Sequence, residues 1–208
     1  MPCRSCAAVL CGFLITLADP ALAAGPVGEI QTVVGTAELV RAGTVTPMRP
    51  GLPVEAGDEL RTGPAGRLRV KFRDGSAATL GSNAAMTVER FEEPGGAGTR
   101  DAALAIAGGL VRAVAEKLVG ASRFEVRTPT AVAAARSTEW IVEVTRDGTA
   151  VLGVSGTVSV RSTGPGAGGP VELKAGEGTD VAPGAAPQPP KTWAAPRATR
   201  VLDATTLP

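Results

Sequence analysis

The residue types in this chain exclude most catalytic chemistry. The sequence has no histidine and no tyrosine, and its three cysteines all lie near the start, at Cys3, Cys6 and Cys11. A serine nucleophile would therefore lack a histidine base, and a soft metal would lack thiolate and imidazole ligands. A carboxylate-pair hydrolase stays formally open because 20 acidic residues are present, but no pair is set apart by its surroundings. The sequence predicts no enzyme, no cofactor and no metal site.

A cation, a hydroxyl and an aromatic ring lie close together at Arg136, Thr138 and Trp140. A planar guanidinium binds a partner's carboxylate or an anionic ligand better than lysine does, so Arg136 is the first candidate for partner binding. The structural alternative, which we favour, is that Arg136 pairs with a local carboxylate or caps free carbonyls at a strand corner. Thr138 and Trp140 have the same two interpretations, because a threonine after a turn and an aromatic residue that begins a strand are usually packing residues.

Two aspartates beside glycines, Asp58 and Asp74, have the ligand chemistry of a calcium site. Neither stretch has the alternating acids of a calcium loop, however, and a turn aspartate commonly accepts a hydrogen bond from nearby backbone. We therefore predict a structural role for both residues. Gly81-Ser82-Asn83 is likewise predicted as a turn and not as a nucleophile elbow.

Short strands must position these candidates. Residues 67–72 alternate charged and apolar side chains, which predicts a strand with Leu68, Val70 and Phe72 facing inward. Residues 141–145 show the same alternation after the first residue. With 27 glycines, 17 prolines and little helical periodicity, the chain is predicted to be all-β.

Similar turns recur along the chain. Arg73-Asp74-Gly75 and Arg146-Asp147-Gly148 each contain the Asp-Gly pair that predicts a tight hairpin. Residues 35–43 also parallel residues 156–164, each beginning with Gly-Thr. The similarity suggests that strands from both parts of the chain stack in one structure, although chance is an alternative in a strand-rich chain.

Residues 101–118 are ambiguous. Apolar side chains in this segment fall on one helical face, and its alanines and leucines favour a helix. A Gly108-Gly109 pair in the middle would cost a helix about 2 kcal/mol relative to alanine. We therefore predict two strands that meet at this pair.

The two ends of the chain differ in composition from the middle. Residues 1–23 resemble a signal peptide that is cleaved before Ala24, with an uncleaved anchor as the alternative, and they predict a periplasmic or secreted protein. Residues 24–182 form the predicted all-β domain, and residues 183–208 a Pro-rich tail. In the tail, Trp193 is predicted to pack against the domain, and residues 199–207 could form a short strand. A formal charge of +1 argues against a nucleic-acid partner.

The order of these motifs resembles the FecR domain, the envelope domain of iron-dicitrate-type regulators. The resemblance extends over residues 28–181 and is carried by GDELRTG, FRDGS, GGLVR, VSGTVSV and LKAGEG. Its most telling part is TPTAVAAARSTEW, which resembles the signature TP-x-A-x-x-x-V-R-G-T-x-F. Two residues depart from it: Ser137 replaces the usual glycine, and Ala135 replaces a β-branched residue.

The resemblance implies a β-solenoid or a sandwich-like stack of short strands, and a role in protein interactions of the bacterial cell envelope. The leading hypothesis is a non-enzymatic sensor or adaptor that docks another envelope protein by strand addition, without a stable membrane span after leader cleavage. Stand-alone exported members of this kind would not contact a cytoplasmic sigma factor themselves. The alternative is a glycan or cell-wall binding module, but only two Trp and four Phe are present for stacking on sugars.

Overall fold

A computed structural model describes residues 25–92, 101–116, 123–135, 137–165 and 168–207. The described residues form one connected network of 17 strands and a short helix, which confirms the all-β prediction. In chain order the elements are β1 (Gly28–Val34), β2 (Ala37–Arg41), β3 (Thr44–Pro47), β4 (Pro53–Val54), β5 (Glu59–Thr62), β6 (Arg67–Phe72), β7 (Ala77–Leu80), β8 (Ala85–Glu92), β9 (Asp101–Val114), β10 (Arg123–Arg127), β11 (Ala131–Ala135), β12 (Glu139–Thr145), β13 (Gly148–Ser155), β14 (Val158–Ser162), β15 (Val171–Leu173), β16 (Glu177–Val181), β17 (Lys191–Thr192) and α1 (Ala195–Ala204).

The strands divide into two sheets that share β9. Sheet A has the order β4-β1-β6-β7-β9-β12-β13-β16-β17. Sheet B has the order β3-β2-β5-β8-β9-β10-β11-β14-β15. Neighbouring strands are antiparallel, except that β10 runs parallel to β9. The inner faces of both sheets contribute to one hydrophobic cluster, so the stack is sandwich-like.

A single strand crosses from one sheet to the other. The prediction of two strands around Gly108-Gly109 is wrong, because β9 continues from Asp101 to Val114. Its first part pairs with β8 and β10 in sheet B, and its second part pairs with β7 and β12 in sheet A. Gly109 has φ +85°, and a Cβ there would lie 2.5 Å from Ala84 Cα. Glycine thus bends the strand between the sheets without ending it.

The core follows the predicted alternation. Leu68, Val70 and Phe72 of β6 are all buried, as predicted. Aromatic rings connect the two sheets: Phe72 contacts Phe124 at 6.5 Å between centroids, and Phe124 meets Trp140 edge-on at 5.7 Å. Because Phe124 lies on sheet B and Trp140 on sheet A, these contacts fix the sheets against each other.

The recurring motifs occupy equivalent turns. Gly35 and Gly156 have φ of +65° and +69°, and each leads from a strand of sheet A into a strand of sheet B, β1 to β2 and β13 to β14. Both Arg-Asp-Gly turns close hairpins within sheet A, β6–β7 and β12–β13. The predicted stacking of similar units from both parts of the chain is therefore confirmed.

The C-terminal segment packs on the outer face of sheet A. Residues 199–207 do not form the short strand that was considered, since α1 extends from Ala195 to Ala204. Pro196 suits the first turn of a helix, and the alanines, arginines and leucine that follow favour helix. Trp193 is buried against the sheet, as predicted. We call residues 191–207 the C-terminal strap and residues 182–190 its linker.

Candidate partner-binding surface

The structure places the predicted site residues at the junction between β11 and β12. Thr138 and Trp140 are 2% and 0% exposed. The Thr138 hydroxyl donates to the carbonyl of Thr157 at 3.3 Å, and the Trp140 ring packs against Phe124. These contacts agree with the packing interpretation of both side chains. Arg136 lies outside the described residues.

Ser137, between these residues, adopts a backbone conformation that favours glycine. Its φ is +52°, in the left-handed region. Side chains with a Cβ are strained there, whereas glycine is not. The glycine of the FecR signature therefore has a conformational reason, and Ser137 tolerates the same turn at some cost in stability.

Both turn aspartates accept hydrogen bonds from groups nearby in the structure. Both oxygens of the buried Asp58 carboxylate accept hydrogen bonds from the Arg41 guanidinium at 2.7 Å, and the backbone N–H of Glu55 donates to it at 2.7 Å. Asp74 accepts a bond from the backbone N–H of Ser76 at 2.9 Å. The predicted structural role is confirmed for both. Within the described residues, no group of three or more potential ligands could hold a metal ion.

One end of sheet B leaves a strand edge open. All four residues of β3 are exposed, and Val45 is the exposed large hydrophobic residue of the described chain, at 53%. Val45 lies opposite Val40 of β2, which is half-buried, so the two form an apolar pair at this edge. An apolar residue on an unpaired edge is a favourable place for another strand to add.

The hairpin register determines which backbone groups face outward. Arg41 pairs with Thr44 across the two-residue turn at Ala42 and Gly43, both of which have positive φ. Four residues after Thr44, the N–H of Met48 donates to the Ala37 carbonyl at 2.9 Å. Residues 44, 46 and 48 therefore bond to β2, and residues 45 and 47 point their backbone groups away. Because Pro47 has no N–H, the outward groups are the N–H and C=O of Val45 and the C=O of Pro47.

Sequence reasoning placed a turn at residues 42–44 but missed the strand that follows. The signal was present in the Ala42-Gly43 turn and in Thr44-Val45-Thr46, which are all β-branched. Four residues are too short for periodicity to distinguish a strand from a loop. The identity of the open edge depends on the order of strands in the sheet, which no local pattern contains.

The C-terminal strap forms a second polar feature, at the rim of sheet A. A groove of about 420 Å³ lies between the β12–β13 turn and the strap, lined by Asp147, Asp180, Lys191 and Arg197 among others. Arg197 makes a two-pronged ion pair with Asp180, and this hydrogen bonding lowers the pKa of the Asp180 carboxyl below its ordinary value. Asp180, Lys191 and Arg197 in this groove are thus paired with each other.

A second ion pair joins the strap to the sheet. Arg200 donates to both oxygens of Glu143 at 2.8 Å, and this hydrogen bonding raises the pKa of the Arg200 guanidinium. The Arg197 guanidinium also lies 3.6 Å above the Trp193 ring.

The described part of the chain contains no helix with the length and apolar character needed to cross a bilayer.

Comparison with known proteins finds a family match over part of the chain and a shared fold. The family described as FecR protein matches residues 58–159, which include Thr138 and Trp140 but not β3. Two crystal structures from Parabacteroides distasonis ATCC 8503, each described as "a putative anti-sigma factor", align with TM-scores of 0.54 and 0.53 at 18% identity. Each alignment covers 69% of this chain and 63% or 64% of the other, less than two thirds of its length. No curated protein matches.

Proposed function

We propose that this protein is a non-enzymatic sensor or adaptor in signalling at the bacterial cell envelope, because residues 58–159 match the FecR family. It acts by binding another envelope protein. Export by the leader, residues 1–23, places it in the periplasm or outside the cell. The likeness in fold to proteins described as anti-sigma factors supports a signalling role.

The binding mechanism that we propose is strand addition at β3. The observation that carries it is the open edge, where Val45 is 53% exposed and its backbone N–H and C=O face away from β2. A partner strand would gain main-chain hydrogen bonds there, and an apolar side chain opposite Val45 and Val40 would add specificity. Arg136 stays a candidate for partner choice, whereas the buried Trp140 would act by holding the sheets in place.

The glycan alternative requires an exposed aromatic face. In the described part of the chain, the five aromatic side chains are buried or half-buried and pack within the protein: Phe72, Phe91, Phe124, Trp140 and Trp193. Their flat faces contact other side chains, for example Phe72 on Phe91 at 5.4 Å between centroids. This arrangement favours a protein partner, because sugar stacking needs a free ring face.

The experiment compares three variants of the tagged, processed protein in capture from an envelope extract. Val45→Pro removes the outward N–H but no bond to β2, Val45→Ala removes only the side chain, and Thr46→Ala changes a residue whose backbone bonds to β2. A specific partner should be recovered by wild type and Thr46→Ala, weakly by Val45→Ala, and not by Val45→Pro.

Two results would contradict this proposal. Equal recovery of the partner by Val45→Pro and wild type would place the interface elsewhere. Retention of the wild-type protein on peptidoglycan, with no protein partner recovered, would favour the glycan-binding alternative. Circular dichroism of each variant verifies that the strand content is unchanged.

A further inference from the structure

The strap covers an apolar patch that would otherwise face water. The outer face of sheet A presents Leu110, Ile141, Ala150 and Leu152, which form a small hydrophobic cluster with Trp193 and Val201 of the strap. This cluster is separate from the core between the sheets. The strap is thus the occupant of a binding face on the sheet, joined to it by a linker.

The indole of Trp193 packs directly against Gly178. A Cβ at Gly178 would lie 2.2 Å from Trp193 Nε1, so only glycine leaves room for the ring. The face therefore fits this segment in particular: a notch for Trp193, an apolar surface for Val201, and carboxylates at the rim for the two strap arginines. A ligand for this face must have the chemistry of the strap itself.

The strap is held by few backbone bonds. Lys191 and Thr192 pair with β16, and the N–H of Trp193 donates to the Gly176 carbonyl at 3.2 Å. The N-cap residue of α1 is Ala194, whose side chain cannot cap a helix. The first turn of α1 contains no acid and its last turn no base, so the helix dipole is not compensated. The Trp193 Nε1–H is buried without a hydrogen-bond partner, which is unfavourable. Release of the strap therefore disrupts side-chain packing and ion pairs more than the sheet.

The linker allows the strap to reach another molecule. Residues 182–190 include four prolines and adopt no strand or helix. Gln188 bonds to β16 through its N–H, which donates to the Asp180 carbonyl, and through its C=O, which accepts from the Thr179 hydroxyl. When extended, the six residues before it, 182–187, span up to about 19 Å. A released strap can therefore settle on the sheet of a neighbouring molecule while its own sheet receives the neighbour's strap.

We propose that sheet A is a docking face for the strap of a second copy of this chain, so that two molecules exchange straps. The exchange reproduces each contact of the strap twice, and only the linker changes conformation, which is the general basis of domain swapping. The second copy is the occupant because it supplies the one segment whose indole and arginines match this face. This surface lies on the other sheet from the β3 edge, so the two proposals are independent.

Mixing two charge-reversed full-length variants tests the exchange. Asp180→Arg reverses the sheet side of the ion pair, and Arg197→Asp reverses the strap side. Each variant alone has a repulsive contact, but an exchanged heterodimer has an attractive pair at both sites. Light scattering after size-exclusion chromatography should find a dimer fraction in the mixture about fivefold or more above that of either variant alone. A mixture as monomeric as its components would overturn the proposal.

A second pair and a control keep the test decisive. Glu143→Arg mixed with Arg200→Glu follows the same logic at the other ion pair and carries the test if either of the first variants does not fold. Arg112→Glu mixed with Glu139→Arg reverses an ion pair within sheet A that does not involve the strap. That mixture should stay monomeric, and dimers in it would show that charge reversal alone causes association. Adding Val45→Pro to both members of the first pair should leave the dimer fraction unchanged.

Discussion

The two sheets are completed in different ways on their outer sides. The outer face of sheet A carries apolar residues in β13, where Ala150, Val151 and Leu152 follow one another, and the strap covers it. In sheet B, β10 alternates charged and apolar residues. Glu125 on its outer face is only 6% exposed and pairs with Arg123 and Arg127, whose side chains reach solvent. A continuous apolar run needs cover on both sides, whereas an alternating strand can face water on one. The strap therefore covers the outer face of sheet A, whereas sheet B has an open edge at β3.

Substitutions in the core that both sheets share should lower the stability of the protein most. Trp140→Ala should lower the free energy of unfolding by about 3–5 kcal/mol, because it leaves a large cavity between the sheets. Urea denaturation followed by far-ultraviolet circular dichroism measures this loss. If Trp140→Ala lowers the free energy of unfolding by less than a substitution in the strap does, Trp140 does not fix the two sheets together.

The strap should contribute less than the core. Trp193→Ala removes a side chain that packs on only one face of sheet A, and we expect a loss of about 1–3 kcal/mol. Trp140 is then the remaining tryptophan, so its fluorescence during urea denaturation reports on the core of this variant. Trp193→Phe, which keeps a ring in the notch, serves as the control and should recover part of the loss. Equal losses for Trp193→Ala and Trp140→Ala would contradict the distinction between cover and core.

The turn between β11 in sheet B and β12 in sheet A can be stabilised without changing the strap or the β3 edge. Ser137→Gly should raise the free energy of unfolding by about 0.5–1 kcal/mol, because glycine accepts the φ of +52° at this position. Ser159→Gly, inside β14, is the matched control and should be destabilising by about the same amount. Thermal unfolding distinguishes the two, and a destabilising Ser137→Gly would show that the serine side chain makes a contact worth more than the strain.

Acid should loosen the strap while leaving the β3 edge unaffected. Hydrogen bonding to Arg197 lowers the pKa of Asp180 below its ordinary value of 3.8. The ion pair therefore stabilises the docked strap above that pH, and the stabilisation is lost as the pH falls through the lowered value. In a Trp140→Phe background, Trp193 fluorescence should be constant from neutral pH down to the ordinary aspartate range and then shift to the red. The same acid response with Asp180→Asn would assign the change to another carboxyl group.

The sequence indicates where the strands lie far better than it indicates which strands pair with each other. Alternation in β6 and the Asp-Gly turns predict their elements correctly, since both signals are local. The bend at Gly109 was predicted as a break, because a glycine pair does not reveal whether the strand continues into a second sheet. The prolines of residues 183–208 predict a tail and do not indicate α1, although Trp193 is predicted to pack against the domain.

The candidate site was harder to predict for the same reason. Residue type and place in a motif indicate Arg136, Thr138 and Trp140, and such signals do not separate buried from exposed positions. Burial of Trp140 depends on the contact with Phe124, which lies on the other sheet. The open edge at β3 follows from the sheet order, which a single sequence does not specify.

Residue-resolved amide hydrogen exchange of the full chain tests most directly whether the strap covers the outer face of sheet A and whether the β3 edge is open. The Val45 amide should exchange at nearly the rate of an unfolded chain, and the neighbouring Thr46 amide should be protected by its bond to β2. Val201 in the strap should show intermediate protection, and Val142 in the core the strongest. Protection of Val45 equal to that of Thr46, or a Val201 amide as exposed as Val45, would contradict the account.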